Sequence, residues 1–298
     1  MTTLTYEGRV AIVTGAGGGL GREHALLLAS RGAQVLVNDL GGSVAGVGSD
    51  EGPAARTAKE INDLGGVAVA DANSVATPEG GEAIVRSALD AFGQVDIVVN
   101  NAGILRDKSF HNMSPDLVDA VIDVHLRGAF NVTRPAYIAM RERSYGRIVN
   151  TSSAAGIFGN FGQTNYSAAK MGLVGFTRTL AQEGAKHNIH SNVIAPAART
   201  RMTEELLGKL ADRLDPALVS PTVAWLCHED CDVNGEIFSV GGGRVARVVI
   251  GVTRGWFSAD QQVEQVRDHF AEVCDDSAPV FPASAMAEIA LVRDRLRE

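Results

Sequence analysis

The chain has 298 residues, of which 45% are hydrophobic and 21% are charged, a balance typical of a globular protein with a large core. Its formal charge of −8 argues against a nucleic-acid partner, because binding a phosphate backbone calls for a basic face. No apolar run is long enough to span a membrane, and the start, MTTLTYEGRV, lacks the pattern of a signal peptide. Three cysteines, Cys227, Cys231 and Cys274, are too few for a disulfide framework, so we expect a cytoplasmic protein.

Short apolar runs alternate with helical stretches over the first two-thirds of the chain. The predicted strands are Val10–Thr14, Gln34–Asn38, Val67–Ala70, Ile97–Asn100, Arg147–Thr151, His190–Ala195 and Glu236–Val240. The predicted helices are Leu20–Ser30, Pro53–Leu64, Pro78–Phe92, Pro115–Arg143 and Asn165–His187. Continuous apolar strands separated by helices indicate an α/β fold with both faces of the sheet covered. We therefore predict a single Rossmann-type, doubly wound parallel sheet of about seven strands, with helices on both faces.

The tail, residues 244–298, breaks this alternation. RVARVVIGVT reads as an extended segment, and DQQVEQVRDHFAEV and SAMAEIALVRDRLRE carry apolar residues at helical spacing. We expect residues 1–243 to form the main domain. Residues 244–298 are predicted to be a C-terminal extension that packs on the body or on a neighbouring subunit, with a separate binding module as the alternative.

The stretch VTGAGGGLG, residues 13–21, stands between the first predicted strand and the first predicted helix. Glycines there let the chain turn tightly and let a pyrophosphate approach the backbone, while N–H groups at the helix start face the anion. The pattern that fits is T-G-x-x-x-G-x-G on Thr14, Gly15, Gly19 and Gly21; the strict G-x-G-x-x-G pattern fails at Leu20. The context favours a nucleotide loop over a plain turn.

Asp39 ends the second predicted strand, near the spacing from the loop at which an acid binds the ribose hydroxyls of adenosine. A carboxylate there repels a 2′-phosphate and Leu40 supplies no basic group, so NAD is favoured over NADP. A loop aspartate after a strand is the plain alternative. Asp71, after the third predicted strand, lies near the adenine amine on one interpretation and is structural on an equally weighted one.

VNNAG, residues 99–103, closes the fourth predicted strand, at the edge where ligands bind in open α/β sheets. It brings Asn101, Ala102 and Gly103 to the predicted nucleotide site. Asn100 taken alone fits an Asx turn as well as it fits a ligand contact.

A serine, a tyrosine and a lysine carry the predicted chemistry. In NTSSAAGIFGNFGQTNYSAAKMG, Tyr166 follows Ser153 by thirteen residues, and Lys170 lies one helical turn beyond it. A free tyrosine has a pKa near ~10, and a cation held close lowers that pKa. Tyr166 is therefore predicted to move a proton to or from a substrate oxygen that Ser153 also hydrogen-bonds.

T-G-x-x-x-G-x-G, N-N-A-G and S-x12-Y-x3-K in this order resemble the short-chain dehydrogenase/reductase family, from about Gly8 to Gly243. A narrower likeness rests on VVNDLGGSVAGVGS, NNAGILRDKSF, VHLRGAFNVTRPAY, GIFGNFGQTNYSAAK, NIHSNVIAPAA and WLCHEDC. These strings resemble the (3R)-hydroxyacyl-CoA dehydrogenase domains of peroxisomal multifunctional enzymes of type 2, also called 17β-hydroxysteroid dehydrogenases of type 4. That likeness continues into the tail.

The resemblance implies a role for each matching residue. The catalytic residues are Ser153, which orients the substrate oxygen, Tyr166, the general acid/base, and Lys170, which bonds the nicotinamide ribose and lowers the tyrosine pKa. The implied cofactor-binding residues are Gly15, Gly19, Leu20, Gly21, Asp39, Asp71, Asn101, Ala102, Gly103, Tyr166 and Lys170. Many family members carry asparagine where this chain has His125, and its backbone carbonyl anchors a relay water. The histidine keeps a carbonyl and leaves open whether the helix is irregular there.

The implied activity is an NAD-dependent oxidation of a secondary alcohol to a ketone, with a (3R)-hydroxyacyl-CoA as substrate in fatty-acid or sterol side-chain β-oxidation. A hydroxysteroid or other small-alcohol dehydrogenase is the alternative, and a non-catalytic NAD-binding regulator a third. Long helices pair subunits in the family, so a homodimer or homotetramer is expected. The chain carries no hydratase segment, so a hydratase partner would be a separate protein. CHEDC, residues 227–231, is interpreted as packing rather than a metal site, since a second ligand cluster is lacking.

Overall fold

The computed structural model describes residues 3–50, 52–199 and 212–296. By its internal contacts the chain divides into two units, Met1–Arg247 and Val248–Glu298. The strands of the sheet are β1 Val10–Thr14, β2 Gln34–Asn38, β3 Val67–Asp71, β4 Ile97–Asn100, β5 Gly146–Thr151, β6 Ile189–Ala197, β7 Ile237–Gly241 and β8 Arg244–Val248.

The predicted doubly wound sheet is confirmed, with one strand more than expected. Its order is β3-β2-β1-β4-β5-β6-β7-β8, and the pairs from β3 to β7 are parallel. The order reverses direction between β1 and β4, which opens a crevice at their carboxyl ends. Gly242 and Gly243, both at positive φ, turn the chain between β7 and β8, so the eighth strand runs antiparallel and the sheet continues past Gly243.

The helices follow the predicted positions closely. They are α1 Gly19–Ser30, α2 Gly52–Asp63, α3 Pro78–Phe92, α4 Pro115–Ile122, α5 Gly128–Arg143, α6 Ala154–Phe158, α7 Thr164–Gly184, α8 Ser220–Cys227, α9 Val263–Asp268, α10 Phe270–Val273 and α11 Ala285–Arg295. The helix predicted over Pro115–Arg143 is interrupted by a turn of π-helix at Asp123–Arg127. The irregularity that His125 left open is therefore present.

Alternate residues of the buried strands face opposite layers of helices. In β1, Ala11 and Val13 belong to a core with Leu28 of α1, whereas Ile12 belongs to a second core with Ile84 of α3. All three β1 side chains are fully buried. The two-sided burial explains why these strands read as continuous apolar runs.

The Val248–Glu298 unit contains α9, α10 and α11 and one antiparallel bridge, between Val252 and Val280. The Trp256 ring stacks on His269 with centroids 4.5 Å apart. Of its described residues, 248–296, none is buried. The predicted helical character of the tail is present, and its packing partner stays a prediction.

The residues of CHEDC pack at the end of α8. Cys227 and Cys231 are buried, and the His228 ring stacks on Trp225. Within residues 3–50, 52–199 and 212–296, no three histidine, cysteine or acidic side chains come together as metal ligands would. In the same ranges, no helix has both the length and the apolarity needed to cross a membrane.

A buried histidine in α1 predicts acid-dependent loss of stability. The Nδ1 atom of His24 lies 2.8 Å from Oγ of Ser220 in α8, and burial lowers the pKa of His24 to about 3. Between the ordinary histidine pKa and the lowered pKa of the folded state, the unfolded chain therefore binds a proton at His24 and the folded chain does not. From pH 7 to pH 5 this linkage lowers the free energy of unfolding by about 2 kcal/mol. Below the folded pKa the loss levels off.

Urea unfolding at pH 7 and pH 5 measures this loss. His24→Asn keeps an amide near Ser220 but does not titrate, so its stability should change less between the two pH values than that of the unsubstituted chain. Equal changes would show that His24 does not contribute.

Candidate active site

A cleft with a cavity of about 400 Å³ opens at the carboxyl ends of the central strands. Its walls include the ends of β1, β2, β4 and β5 together with the start of α7. Of the twelve residues predicted to bind cofactor or substrate, Gly15, Gly19, Leu20, Asp39, Asn101, Ala102, Gly103, Ser153, Tyr166 and Lys170 line it. Gly21 and Asp71 do not appear in its lining.

The glycine loop is held tightly against the end of β4. Gly15 has a φ of +66°, and a Cβ there would lie 2.8 Å from Cα of Ala102. A Cβ on Gly21 would lie 2.3 Å from the carbonyl oxygen of Gly15. Gly18 differs, because a Cβ on it would have no described atom within 4 Å. Gly18 therefore borders open cleft at the amino end of α1, where a phosphate fits.

Asp39 connects this loop to the chain beyond β2. Its Oδ2 accepts a hydrogen bond of 2.8 Å from the N–H of Gly17, and its Oδ1 accepts one of 2.7 Å from Gly41. The carboxylate lines the cleft, followed by Leu40, which is also in the lining. The negative charge thus lies where the sequence predicted an adenosine-binding acid.

Asp71 has several hydrogen-bond partners within the protein, and its predicted position near the adenine amine stays a prediction. Its carboxylate is buried and accepts hydrogen bonds from the side chains of Asn38, Asn73 and Ser87, all at 2.8 Å, and from the backbone N–H of Asn73. Asn73 and the three residues after it line the cleft instead.

A loop that the sequence did not predict, residues 41–50, arches from Asp39 to the chain after β4. The carbonyl of Val44 accepts a hydrogen bond of 2.9 Å from the N–H of Leu105, and that of Ala45 accepts one of 2.7 Å from Arg106. Gly46 lies against Ile104 so closely that a Cβ would be 3.0 Å from that side chain. The loop forms one wall of the cleft.

The two asparagines of NNAG, Asn100 and Asn101, have different hydrogen-bond partners and different roles. The side chain of Asn101 donates to the carbonyls of Thr14 and Gly15, both at 3.1 Å, and so fixes the glycine loop to β4. The hydroxyl oxygen of Thr14 accepts from the N–H groups of Asn101 and Ala102. Asn100 points away into a buried hydrogen bond with Asn150, so its role is structural.

The predicted catalytic side chains converge at the other end of the cleft. Ser153 caps α6, its Oγ accepting a hydrogen bond of 3.1 Å from the N–H of Ala155. Tyr166 lies in the first turns of α7, partly buried. The ammonium group of Lys170 is buried, donates to the carbonyl of Thr151 at the end of β5, and lies 5.5 Å from the centre of the Tyr166 ring.

The sequence matches the model of the family described as short chain dehydrogenase over residues 9–210. This chain is a short-chain dehydrogenase. The fold, the order of its motifs and its oxidoreductase character follow from that membership.

Within the family, this short-chain dehydrogenase is similar to the following three proteins. It is 51% identical over 279 residues to peroxisomal multifunctional enzyme type 2 of Mus musculus, across 92% of this chain and 38% of that protein. It is 38% identical to a hydroxyacyl-CoA dehydrogenase, ChsB1, of Mycobacterium tuberculosis, across 90% of each. The solved full-length peroxisomal multifunctional enzyme type 2 of Drosophila melanogaster matches with a TM-score of 0.83 and 40% identity, across 98% of this chain and 50% of that one. The chain thus spans half or less of the two multifunctional enzymes.

The pKa of Tyr166 differs from the prediction. Burial raises it above the ordinary tyrosine value, a hydrogen bond with the Ser153 side chain lowers it, and the negative charge of Asp107 raises it. The expected lowering by Lys170 is not among the causes. The ammonium of Lys170 lies over the face of the ring, while its hydrogen bond goes to Thr151. Burial lowers the pKa of Lys170 itself to about 7.

Several residues that support the site were not predicted. Asn165 donates from its side chain to the carbonyls of Arg106 and Leu117, and its Oδ1 accepts from the N–H of Tyr166. The Oγ of Ser152 donates to the carbonyl of Lys170 at 2.7 Å. Both are next to predicted catalytic residues in the sequence, so their location near the site could be predicted, but their hydrogen-bond partners come from other segments.

Proposed function

We propose that this short-chain dehydrogenase interconverts a (3R)-hydroxyacyl-CoA and the 3-ketoacyl-CoA with NAD, in fatty-acid or sterol side-chain β-oxidation. The observation that carries the proposal is the convergence of Ser153, Tyr166 and Lys170 at one end of a cleft whose other end presents Asp39. The identity to a hydroxyacyl-CoA dehydrogenase over nine-tenths of both chains supports the substrate class.

The residues present fit NAD. Gly18 leaves room beside the amino end of α1 for a pyrophosphate, and the Asp39 carboxylate suits ribose hydroxyls rather than a 2′-phosphate. Asn101, Gly103 and Lys170 line the same cleft, and we propose that the first two border the nicotinamide and that Lys170 would bond the second ribose. When bound, NAD would supply the acceptor for the hydride of the alcohol carbon.

The protein groups handle the proton and the substrate oxygen. Ser153 hydrogen-bonds the oxygen and holds it beside the Tyr166 hydroxyl. Tyr166 takes the hydroxyl proton during oxidation and returns one during reduction. The amine of Lys170, buried over the face of the Tyr166 ring, is proposed to serve mainly the nicotinamide ribose.

A substrate panel tests the proposal. Formation of NADH would be measured with (3R)-3-hydroxyacyl-CoA esters of several chain lengths, including one with a sterol side chain, with their 3S enantiomers as matched controls, and with free hydroxysteroids. We expect kcat/KM for a 3R ester to exceed that for a free steroid at least about tenfold. NAD should be preferred over NADP by a similar factor.

The panel also separates the alternatives. Preference for a free hydroxysteroid or another small alcohol would favour the second candidate, which the same catalytic trio would serve. NAD binding without any turnover would favour a regulatory protein, which would have no need of all three catalytic side chains.

Association of subunits is part of the proposal. Phe130 and Ile138 on α5 and Met171 on α7 are exposed, and Phe130 contacts Phe176 with ring centroids 4.2 Å apart. Such an apolar surface on two neighbouring helices supports a homodimer or homotetramer.

In the Val248–Glu298 unit, Met286 and Ile289 are exposed as well, which supports packing of the extension on the body or a neighbouring subunit.

A further inference from the structure

The imidazole of His125 lies against the Tyr166 ring. His125 is 3% exposed and stands in the π-helical turn between α4 and α5. The two rings are nearly perpendicular, at 89°, with centroids 5.1 Å apart. This is the edge-to-face geometry that aromatic pairs prefer, and it restricts how the Tyr166 ring can tilt.

The same imidazole contacts the backbone of Ile104. Its Nε2 lies 2.8 Å from the carbonyl oxygen and 3.1 Å from the N–H of that residue. Nδ1 is buried and has no hydrogen-bond partner among the described residues. With its proton on Nε2 the ring donates to the Ile104 carbonyl, and with its proton on Nδ1 the ring accepts from the Ile104 N–H, so either neutral form joins Nε2 to the backbone of Ile104.

Ile104 begins the segment 104–108, which borders the start of α7. The carbonyl of Arg106 accepts a hydrogen bond of 3.0 Å from Asn165, and the N–H of Lys108 donates to the carbonyl of Gly162 at 2.8 Å. The carboxylate of Asp107 accepts from Gln163 at 2.7 Å. One side chain therefore contacts both the catalytic tyrosine and the first residue of the segment that packs beside it.

The surroundings are shaped for this imidazole. A Cβ on Gly103 would lie 2.4 Å from Cε1 of His125, so the last residue of NNAG must be glycine while the ring is there. The titratable groups that face the ring, Lys170 and Tyr166, both come from α7. Burial and the charge of Lys170 hold the pKa of His125 well below its ordinary value, so the ring is neutral and cannot itself exchange the substrate proton near neutral pH.

We infer that His125 is a positioning residue whose imidazole orients the Tyr166 ring by edge-to-face contact and anchors segment 104–108 through the contact of its Nε2 with the backbone of Ile104. The inference rests on the proposed function, since it takes Tyr166 to be the acid/base. It assigns the imidazole a task separate from that of the backbone carbonyl at this position, which every substitution retains.

Three substitutions separate the effect of the contact with the Tyr166 ring from the effect of the contact with Ile104. His125→Gln places an amide near the position of Nε2 and loses the ring, so kcat should fall about tenfold while KM for the alcohol is kept. His125→Phe keeps an aromatic ring and loses the hydrogen bond between Nε2 and Ile104, so KM should rise about tenfold with a smaller change in kcat. His125→Asn loses both contacts and should show both effects. KM for NAD should stay unchanged in all three, and thermal unfolding would verify that each is folded.

The pKa of Tyr166 supplies a measurement that does not need turnover. Tyrosinate absorbance is titrated in each variant, and the titration of the same protein carrying Tyr166→Phe is subtracted. His125→Asn opens space beside the ring to water, which weakens the effect of burial, so the pKa of Tyr166 should fall. His125→Phe should leave it near the unsubstituted value.

Unchanged kcat, KM and Tyr166 titration in His125→Asn would overturn the inference, as would equal behaviour of the Gln and Phe variants. If the unsubstituted protein turns over no alcohol, the proposed function fails. The titrations then still decide whether His125 controls the environment of Tyr166.

Discussion

Replacing Tyr166 by phenylalanine will abolish turnover and leave NAD binding intact. The substitution removes one hydroxyl from a partly buried ring that packs against His125 and under the ammonium of Lys170, so the packing is kept. Loss of the only proposed proton carrier should lower kcat about a thousandfold or more. Steady-state formation of NADH measures the activity, and titration calorimetry with NAD measures the binding.

Tyr145→Phe is the matched control. Tyr145 is also a buried tyrosine, its hydroxyl has no hydrogen-bond partner among the described residues, and it lies between Arg9 and Arg147, away from the lining of the cleft. It should keep nearly full activity. If Tyr166→Phe did the same, Tyr166 would not be the acid/base.

Two alanine substitutions in the glycine loop should both weaken NAD binding but differ in their effect on stability. A Cβ on Gly21 meets the carbonyl oxygen of Gly15 at 2.3 Å and the side-chain nitrogen of Asn101 at 2.6 Å, so the loop must shift. Gly21→Ala should lose about 1–3 kcal/mol of stability, as overpacked sites do, and bind NAD about a hundredfold more weakly. Urea unfolding and calorimetry measure the two effects.

Gly18→Ala leaves the protein itself undisturbed. Gly18 has an extended backbone with a φ of −176°, and a Cβ there would have no described neighbour within 4 Å. Stability should stay within about 0.5 kcal/mol. The methyl group occupies cleft space, so NAD affinity should still fall about tenfold. Unchanged affinity in this variant would place the pyrophosphate elsewhere.

The strands were predictable because most are largely apolar runs, and β1, β4 and β5 are buried along their whole length. β1, β2 and β4 have the predicted bounds, and the other strands differ by a few residues at their ends, where pairing rather than composition decides. β8 was less visible. It is an edge strand with mostly exposed side chains, and its pairing depends on the tight turn at Gly242 and Gly243.

The candidate site was predictable as far as local motifs define it. The glycine loop and the Ser153, Tyr166 and Lys170 spacing depend on segments whose geometry is set by one strand or one helix. Asp71 was ambiguous because its role depends on Asn38 and Ser87, which come from other elements. The raised pKa of Tyr166 was missed for a related reason, since spacing along a helix does not report burial.

The arched loop 41–50 was unpredictable because its shape comes from contacts across the cleft. Its composition indicates only a turn-rich segment. The carbonyls of Val44 and Ala45 accept hydrogen bonds from Leu105 and Arg106, and Arg106 lies 61 residues beyond Ala45 in the chain. The π-helical turn at Asp123–Arg127 was unpredictable as well, because no residue pattern in DVHLRG indicates it.

The position of Asp39 constrains how cofactor preference can be redesigned. Its two oxygens accept hydrogen bonds from the N–H groups of Gly17 and Gly41, so the acid proposed to face the ribose also joins the glycine loop to the arched loop. A single exchange for a neutral or basic residue would alter nucleotide choice and release two backbone segments together. Engineering of an NADP-using form therefore has to begin with substitutes for those two acceptors, and only then introduce a positive charge.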